Sequence, residues 1–325
     1  MKKNLTRKLA LSAVTMGVAA LTVTSTTYAW YTSNATATAS TITGTAKAAD
    51  GNLLIGKNSG DTSSYSTTQT IDNVSSWATS LTFDTNNNAK LEPVTYDSTN
   101  SKWVKIGGGS INSTDAPETA IVRQTVWFNI DSLSGSSTDY YLSVTMSGLT
   151  QNPTNGKTQK LSVSDEADKE LNKITVKSRT VNLTDVLACR ITPVSLPSGV
   201  TATGANSLAY KYTTENATEG DAVVYYNNVY GLTGDKGLTR PTDYETSTYS
   251  DRLFNTNKVN LFTLKGFDDT ASEQNYRFGV TFEFYIDGWD YQCYNAIGGQ
   301  SFAGLSLEFN LTPKTSTSSD TATTK

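Results

Sequence analysis

The stretch YRFGVTFEFYI, residues 276–286, constrains this chain more than any other. Tyr276, Phe278, Val280, Phe282, Phe284 and Ile286 alternate with Arg277, Gly279, Thr281, Glu283 and Tyr285, and Asp287 continues the second set. Successive side chains of a strand point to opposite faces, so the pattern predicts a β-strand with one face in a core. A helix would scatter the six apolar residues round its circumference. The same period recurs upstream. IVRQTVWFNI offers Val122, Val126, Phe128 and Ile130 to one face, and DYYLSVTM offers Tyr140, Leu142, Val144 and Met146. SFAGLSLEFNL reads as the last strand, with Ala303, Leu305, Leu307, Phe309 and Leu311 inward. DVLACRI, AVVYY and VNLFTL read as weaker strands of a second sheet. Turn-forming stretches such as DTNNN, GGGS, SGSS and NPTNG lie between them. Long helical periodicity is absent, and only SDEADKEL, near residues 165–171, carries helix-start chemistry. The expected fold class is all-β: an antiparallel, jelly-roll-like β-sandwich with long loops and at most a short helix.

The first residues follow another logic. Lys2, Lys3, Arg7 and Lys8 precede an uncharged apolar run over residues 9–23, and Thr27-Tyr28-Ala29 follows. This is the three-part layout of a secretory signal peptide, with cleavage expected after Ala29 and Trp30 as the new N-terminus. The run is shorter than the roughly 20 residues that span a bilayer comfortably; the alternative is an uncleaved anchor. The expected organisation is a signal peptide at 1–29, an N-terminal strand segment at 30–50, a sandwich domain at 51–313 and a disordered Ser/Thr-rich tail at 314–325. No membrane span is expected after cleavage, and the expected location is secreted, extracellular or cell-surface.

Charge and composition exclude several functions. The net charge is −4, and removal of four basic residues with the first 29 takes it to −8. A nucleic-acid partner, which needs a basic stripe, is not expected. The chain has no His, which removes His-based triads and the usual His zinc sites. Asp268 with Asp269, and Asp287 with Asp290, are the carboxylate pairs a hydrolase would use, but adjacent acids near Gly and Asn read first as solvated turn formers or caps. Oxygen ligands for calcium are abundant, but no calcium-loop motif organises them. GGGS and IGGQ read as turns, without the context of a phosphate loop. Trp77, Trp103, Trp289 and Tyr291 are candidates for a sugar-binding platform, against the plainer reading that aromatics fill sandwich cores. No catalytic, cofactor or metal site is expected. Cys189 and Cys293 can form a disulfide in an oxidising compartment or remain buried thiols, and the sequence weighs the two equally.

Two blocks carry a family resemblance. TYAWYTSNATATAS followed by ITGTAKAADGNLLIG opens the exported chain, and FEFYIDGWDYQCYNAIGGQSFAGLSLEFNL closes it. Together they resemble TasA/camelysin-type exported bacterial proteins, processed by a dedicated signal peptidase. The resemblance covers the two ends and little of the middle. It implies a jelly-roll sandwich and a non-enzymatic structural role at the cell surface or in a biofilm-type matrix. Its implied partners are further copies of the chain, in a homopolymer, and other surface or matrix proteins. In such proteins the segment after the cleavage site can complete the sheet of the next subunit. Here Ala35, Ala37 and Ala39 alternate with Thr36 and Thr38, Ile42 follows, and residues 30–45 carry no charge. That makes them a candidate donor strand; the alternative is that they fold back as the first strand of their own sandwich. The proteolytic activity described for camelysin is not carried over, because the usual zinc ligands are missing. The alternative function is a surface adhesin or carbohydrate-binding module.

Overall fold

The computed structural model describes residues 37–39, 42–48, 51–57, 59, 62–71, 89–97, 101–106, 113–115, 121–133, 135, 138–152, 154–160, 178–211, 258–267, 275–288, 290, 293, 297–303 and 305–314. The strands come in chain order. β1 is Ala37–Ala39, β2 Ile42–Ala48, β3 Asn52–Gly56, β4 Thr68–Ile71, β5 Ala89–Leu91, β6 Pro93–Asp97 and β7 Lys102–Ile106. β8 is Ser113–Asp115, β9 Val122–Asp131, β10 Asp139–Ser147, β11 Thr150–Asn152, β12 Lys157–Lys160 and β13 Ser178–Val181. A 3-10 turn lies at Thr62–Ser64, and an α-helical turn, α1, spans Leu183–Val186. Then come β14 Leu187–Val194, β15 Val200–Ala202, β16 Leu208–Lys211, β17 Val259–Lys265, β18 Asn275–Asp287, β19 Ser301–Ala303 and β20 Leu305–Pro313.

Two sheets stack into a β-sandwich. One has the order β15-β17-β10-β20-β2-β4. The other runs β16-β14-β18-β6-β7-β8, with β9 on β18 and β3 on β9. The alternation around Phe282 produces the core as expected. Phe278, Phe282 and Ile286 are fully buried, as are Phe128 and Ile130 of β9 and Leu305, Leu307, Phe309 and Leu311 of β20. Rings from the two sheets interlock. Phe128 and Phe282 lie 5.1 and 5.9 Å from Phe309, and Phe262 of β17 lies 4.9 Å from Phe278. Each such side chain contributes about 1.5–3 kcal/mol by leaving water, and interlocking rings add to it.

The structure departs from the sequence reading in four places. Most pairs are antiparallel, but β1–β19, β2–β20 and β6–β18 are parallel. SFAGLSLEFNL is two strands, not one: β19 belongs to a four-stranded sheet of order β11-β19-β1-β5, and β20 to the six-stranded sheet. DVLACRI begins with the turn α1 before β14, and β14 and β17 lie in different sheets. Finally, β18 is not half-exposed along its length. Glu283, Tyr285 and Asp287, on the face opposite the core, are also buried. Here β7 brings Trp103 over that face, against Tyr285 at 4.7 Å. The first residue of the expected disordered tail, Lys314, is held instead by its N–H donating to Asp139 O at 2.7 Å; the strand expected at residues 222–226, the helix near 165–171 and the rest of the tail, 315–325, lie outside the described residues.

Candidate functional site

The opening segment occupies a slot inside the fold. β2 lies between β20, parallel, and β4, antiparallel. β1 lies between β19, parallel, and β5, antiparallel. Thr38 faces Ser301 and Ala39 faces Phe302. Beyond the corner Ile42 faces Leu305, and the ladder runs on to Ala48 facing Leu311 with no residue inserted on either side. The two segments therefore turn the corner between sheets together. The segment read as one candidate donor strand, or else as the first strand of its own sandwich, is two strands paired here with strands of the same chain: Ala37 and Ala39 lie in β1 and Ile42 opens β2, while Ala35 lies outside the described residues.

What holds β2 is mostly backbone. Two of its buried residues are Gly44, beside Leu307, and Ala46, beside Phe309. These are the smallest side chains available, set next to two of the larger ones. A strand gains affinity from its ladder and specificity from alternate side chains. Here the ladder dominates, extended by the Ala46 N–H donating to Thr67 O at 2.8 Å. At the surface Lys47 Nζ donates to Glu308 Oε2 at 2.7 Å. That hydrogen bond, with a second from Asn310, holds the Glu308 carboxyl below its ordinary range, against a small opposing effect of burial.

Two buried charged groups lie in the eight-stranded sheet. The first surrounds Glu283. Arg123 Nε donates to its Oε1 at 2.8 Å and Trp103 Nε1 to the same oxygen at 3.2 Å. Arg190 Nη1 stands 3.5 Å from Oε2 and donates to Thr192 Oγ1 at 2.9 Å. The Arg190 guanidinium also lies 3.7 Å from the centre of the Tyr96 ring, a cation–π contact. These contacts tie β7, β9, β14 and β18 together. Trp103 is consumed by that packing and is buried, so the sugar-platform reading fails for it. Trp77, Trp289 and Tyr291 lie outside the described residues.

The second group surrounds Lys211, at the end of β16. Its amine forms an ion pair with Asp290 Oδ2 and donates to the Asp185 carbonyl at 2.8 Å. Local structure aims these groups. Gln300 Oε1 accepts from Leu183 N at 3.1 Å, and Gln151 Oε1 accepts from Thr184 N at 3.3 Å, so side chains from outside satisfy the opening of α1. The turn after β18, closed by Asp290 N donating to Asp287 O at 3.2 Å, brings Asp290 back beneath the strand ends. Lys211, Asp185, Asp287 and Asp290 are all buried. Burial lowers the Lys211 ammonium to about 8, against the opposing pull of Asp287 and Asp185. Asp287 and Asp290 are thus not the solvated turn formers expected from the sequence. Asp268 and Asp269 lie outside the described residues.

The disulfide alternative is corrected. Cys189 and Cys293 are free, buried thiols. Each has its own surroundings: Cys189 donates weakly to Arg190 O at 3.7 Å and feels Glu283, while Cys293 feels Asp287 and Lys211. Burial is the main cause that pushes both thiols up, so neither is a ready thiolate. Among the described residues no group of three or more acidic or Cys side chains is arranged to hold a metal ion, and no helix is long and apolar enough to cross a membrane. The cleavage residues Ala29 and Trp30 lie outside the described residues. Sequence reasoning missed Lys211 and Asp185; a lysine closing the short strand LAYK carries no local sign of burial. Comparison with known proteins returns no matching family model, curated protein or solved structure.

Proposed function

We propose that this chain is a secreted, non-enzymatic structural protein of the bacterial surface or extracellular matrix, and that copies join by exchange of the β1–β2 segment. The observation that supports the reading is the slot itself. An internal segment flanked by strands on both sides is held through its ladder, with the small residues Gly44 and Ala46 among its buried positions. Withdrawing it exposes little apolar surface at Gly44 and Ala46 and leaves β4, β5, β19 and β20 each with an unpaired edge. A second copy supplies identical partners, so exchange trades like for like and concentration decides the outcome. Because the donor and the slot are different surfaces, each added copy leaves a free slot at one end and a free donor at the other. Such a contact grows into a filament unless its rotation closes a ring.

The test locks the segment in its own subunit. Thr45 and Glu308 are register partners on β2 and β20. Adjacent strands lie within disulfide reach, so a Thr45→Cys, Glu308→Cys chain can be oxidised shut and reduced open. Protein beginning at Trp30 is concentrated and followed by sedimentation and electron microscopy. Polymers from wild type and from the reduced variant, and monomers from the oxidised variant, are expected. Wild type that stays monomeric at every concentration defeats the proposal.

A further inference from the structure

We propose that Lys211 and Asp290 are joined by an intramolecular isopeptide bond, formed autonomously on folding with Asp287 as the proton relay. The argument starts from the contact. The Lys211 amine and the Asp290 carboxyl touch, with side chains 3% and 0% exposed. Water does not reach the pair, so two full charges there bear a desolvation penalty that their attraction repays only in part. Condensation removes both charges at once and leaves a neutral amide. The surroundings favour the attack. Burial shifts Lys211 towards the neutral amine, which is the nucleophilic form. The Asp185 carbonyl fixes the amine by a 2.8 Å hydrogen bond. Asp287 is buried on the same turn as Asp290 and acts on Lys211 through its charge, which makes its carboxylate the group to take the proton the amine sheds. Fixed contact between two reactants in a dry site replaces a bimolecular encounter with a unimolecular step.

The step balances. The Lys211 nitrogen lone pair attacks the Asp290 carboxyl carbon, and a C–N bond forms. The two protons that the Lys211 ammonium gives up, one before the attack and one after it, pass through Asp287 to the departing carboxyl oxygen, the C–O bond breaks, and that oxygen leaves as water. Ammonium and carboxylate go in; amide and one water come out. No oxidant, reductant or cofactor takes part. The bond joins the end of β16 to the turn after β18, two points separated in sequence by the whole of β17 and β18.

Mass spectrometry of the intact, denatured full chain tests this without relying on a variant's folding. The expected mass is one water below that of the sequence. A proteolytic digest then yields a branched peptide linking the segments that carry Lys211 and Asp290, and protease does not cut after Lys211. The branched peptide separates this bond from dehydration within a single aspartate. Lys211→Arg keeps the positive charge but cannot condense, and its mass regains the water. Asp287→Asn keeps both bonding partners and leaves most chains uncondensed; complete condensation in that variant overturns the relay role. Wild-type protein of full mass, with separate linear peptides carrying Lys211 and Asp290, overturns the bond.

Discussion

At the scale of single residues the core is sound but not uniform. Gln124 of β9 lies on the inward side between Val122 and Val126 and is 1% exposed. Neither its amide nitrogen nor its carbonyl oxygen has a hydrogen-bond partner among the described residues. A buried amide in that position costs free energy that an apolar side chain of similar size would not. Gln124→Leu should therefore stabilise the fold by about 1–2 kcal/mol, read as a raised midpoint in urea. Glu283 presents the opposite case. Its removal takes the carboxylate from Arg190, which is 9% exposed, and leaves the guanidinium against the Tyr96 ring. Glu283→Ala should destabilise by about 3–5 kcal/mol, and the same urea titration measures it. Sequence alternation placed Glu283 correctly on the face away from the core. It could not show that Trp103, far along the chain, covers that face, because such coverage leaves no periodic trace. The pairing of Lys211 with Asp290 was illegible for the same reason: the two meet through β-pairing and a turn, and neither lies near the other in sequence.

At the scale of elements, legibility followed length. β9, β10 and β18 were read with their inward faces right because each holds a strict period over many residues. The short pieces at sheet corners were misread. The change from β19 to β20, and from β1 to β2, keeps an apolar and small-residue pattern that runs on smoothly through the bend. Nothing in a period of two marks where a strand changes sheets. The bridge from Lys47 to Glu308 gives β2 a pH dependence whose sign is fixed. The folded chain holds the Glu308 carboxyl below its ordinary value, so its contribution is fully present above that value. It is lost as pH falls through the lower, folded value. Lys47→Ala should melt below wild type at neutral pH, and the gap between the two should close in acid. A gap that persists unchanged in acid would show that Lys47 acts through packing alone.

At the scale of the whole molecule, the all-β sandwich was legible from alternation and turn chemistry, whereas its parallel pairs were not. Parallel pairing needs a long return path, and here nearly the full chain lies between β2 and β20. That feature governs how the molecule bears mechanical load. Tension applied before Ala37 and after Pro313 draws β2 and β20 past each other along their length. Their ladder, from Ile42 facing Leu305 to Ala48 facing Leu311, is then loaded in shear, and its bonds share the force. Tension applied instead at Ala48 and Leu311 peels the same ladder from one end, one bond after another. Single-molecule pulling should give a markedly higher rupture force in the first direction than in the second. A matrix protein linked through its ends would therefore meet strain along its strongest axis, with the strands that begin and finish the sandwich serving as the clamp.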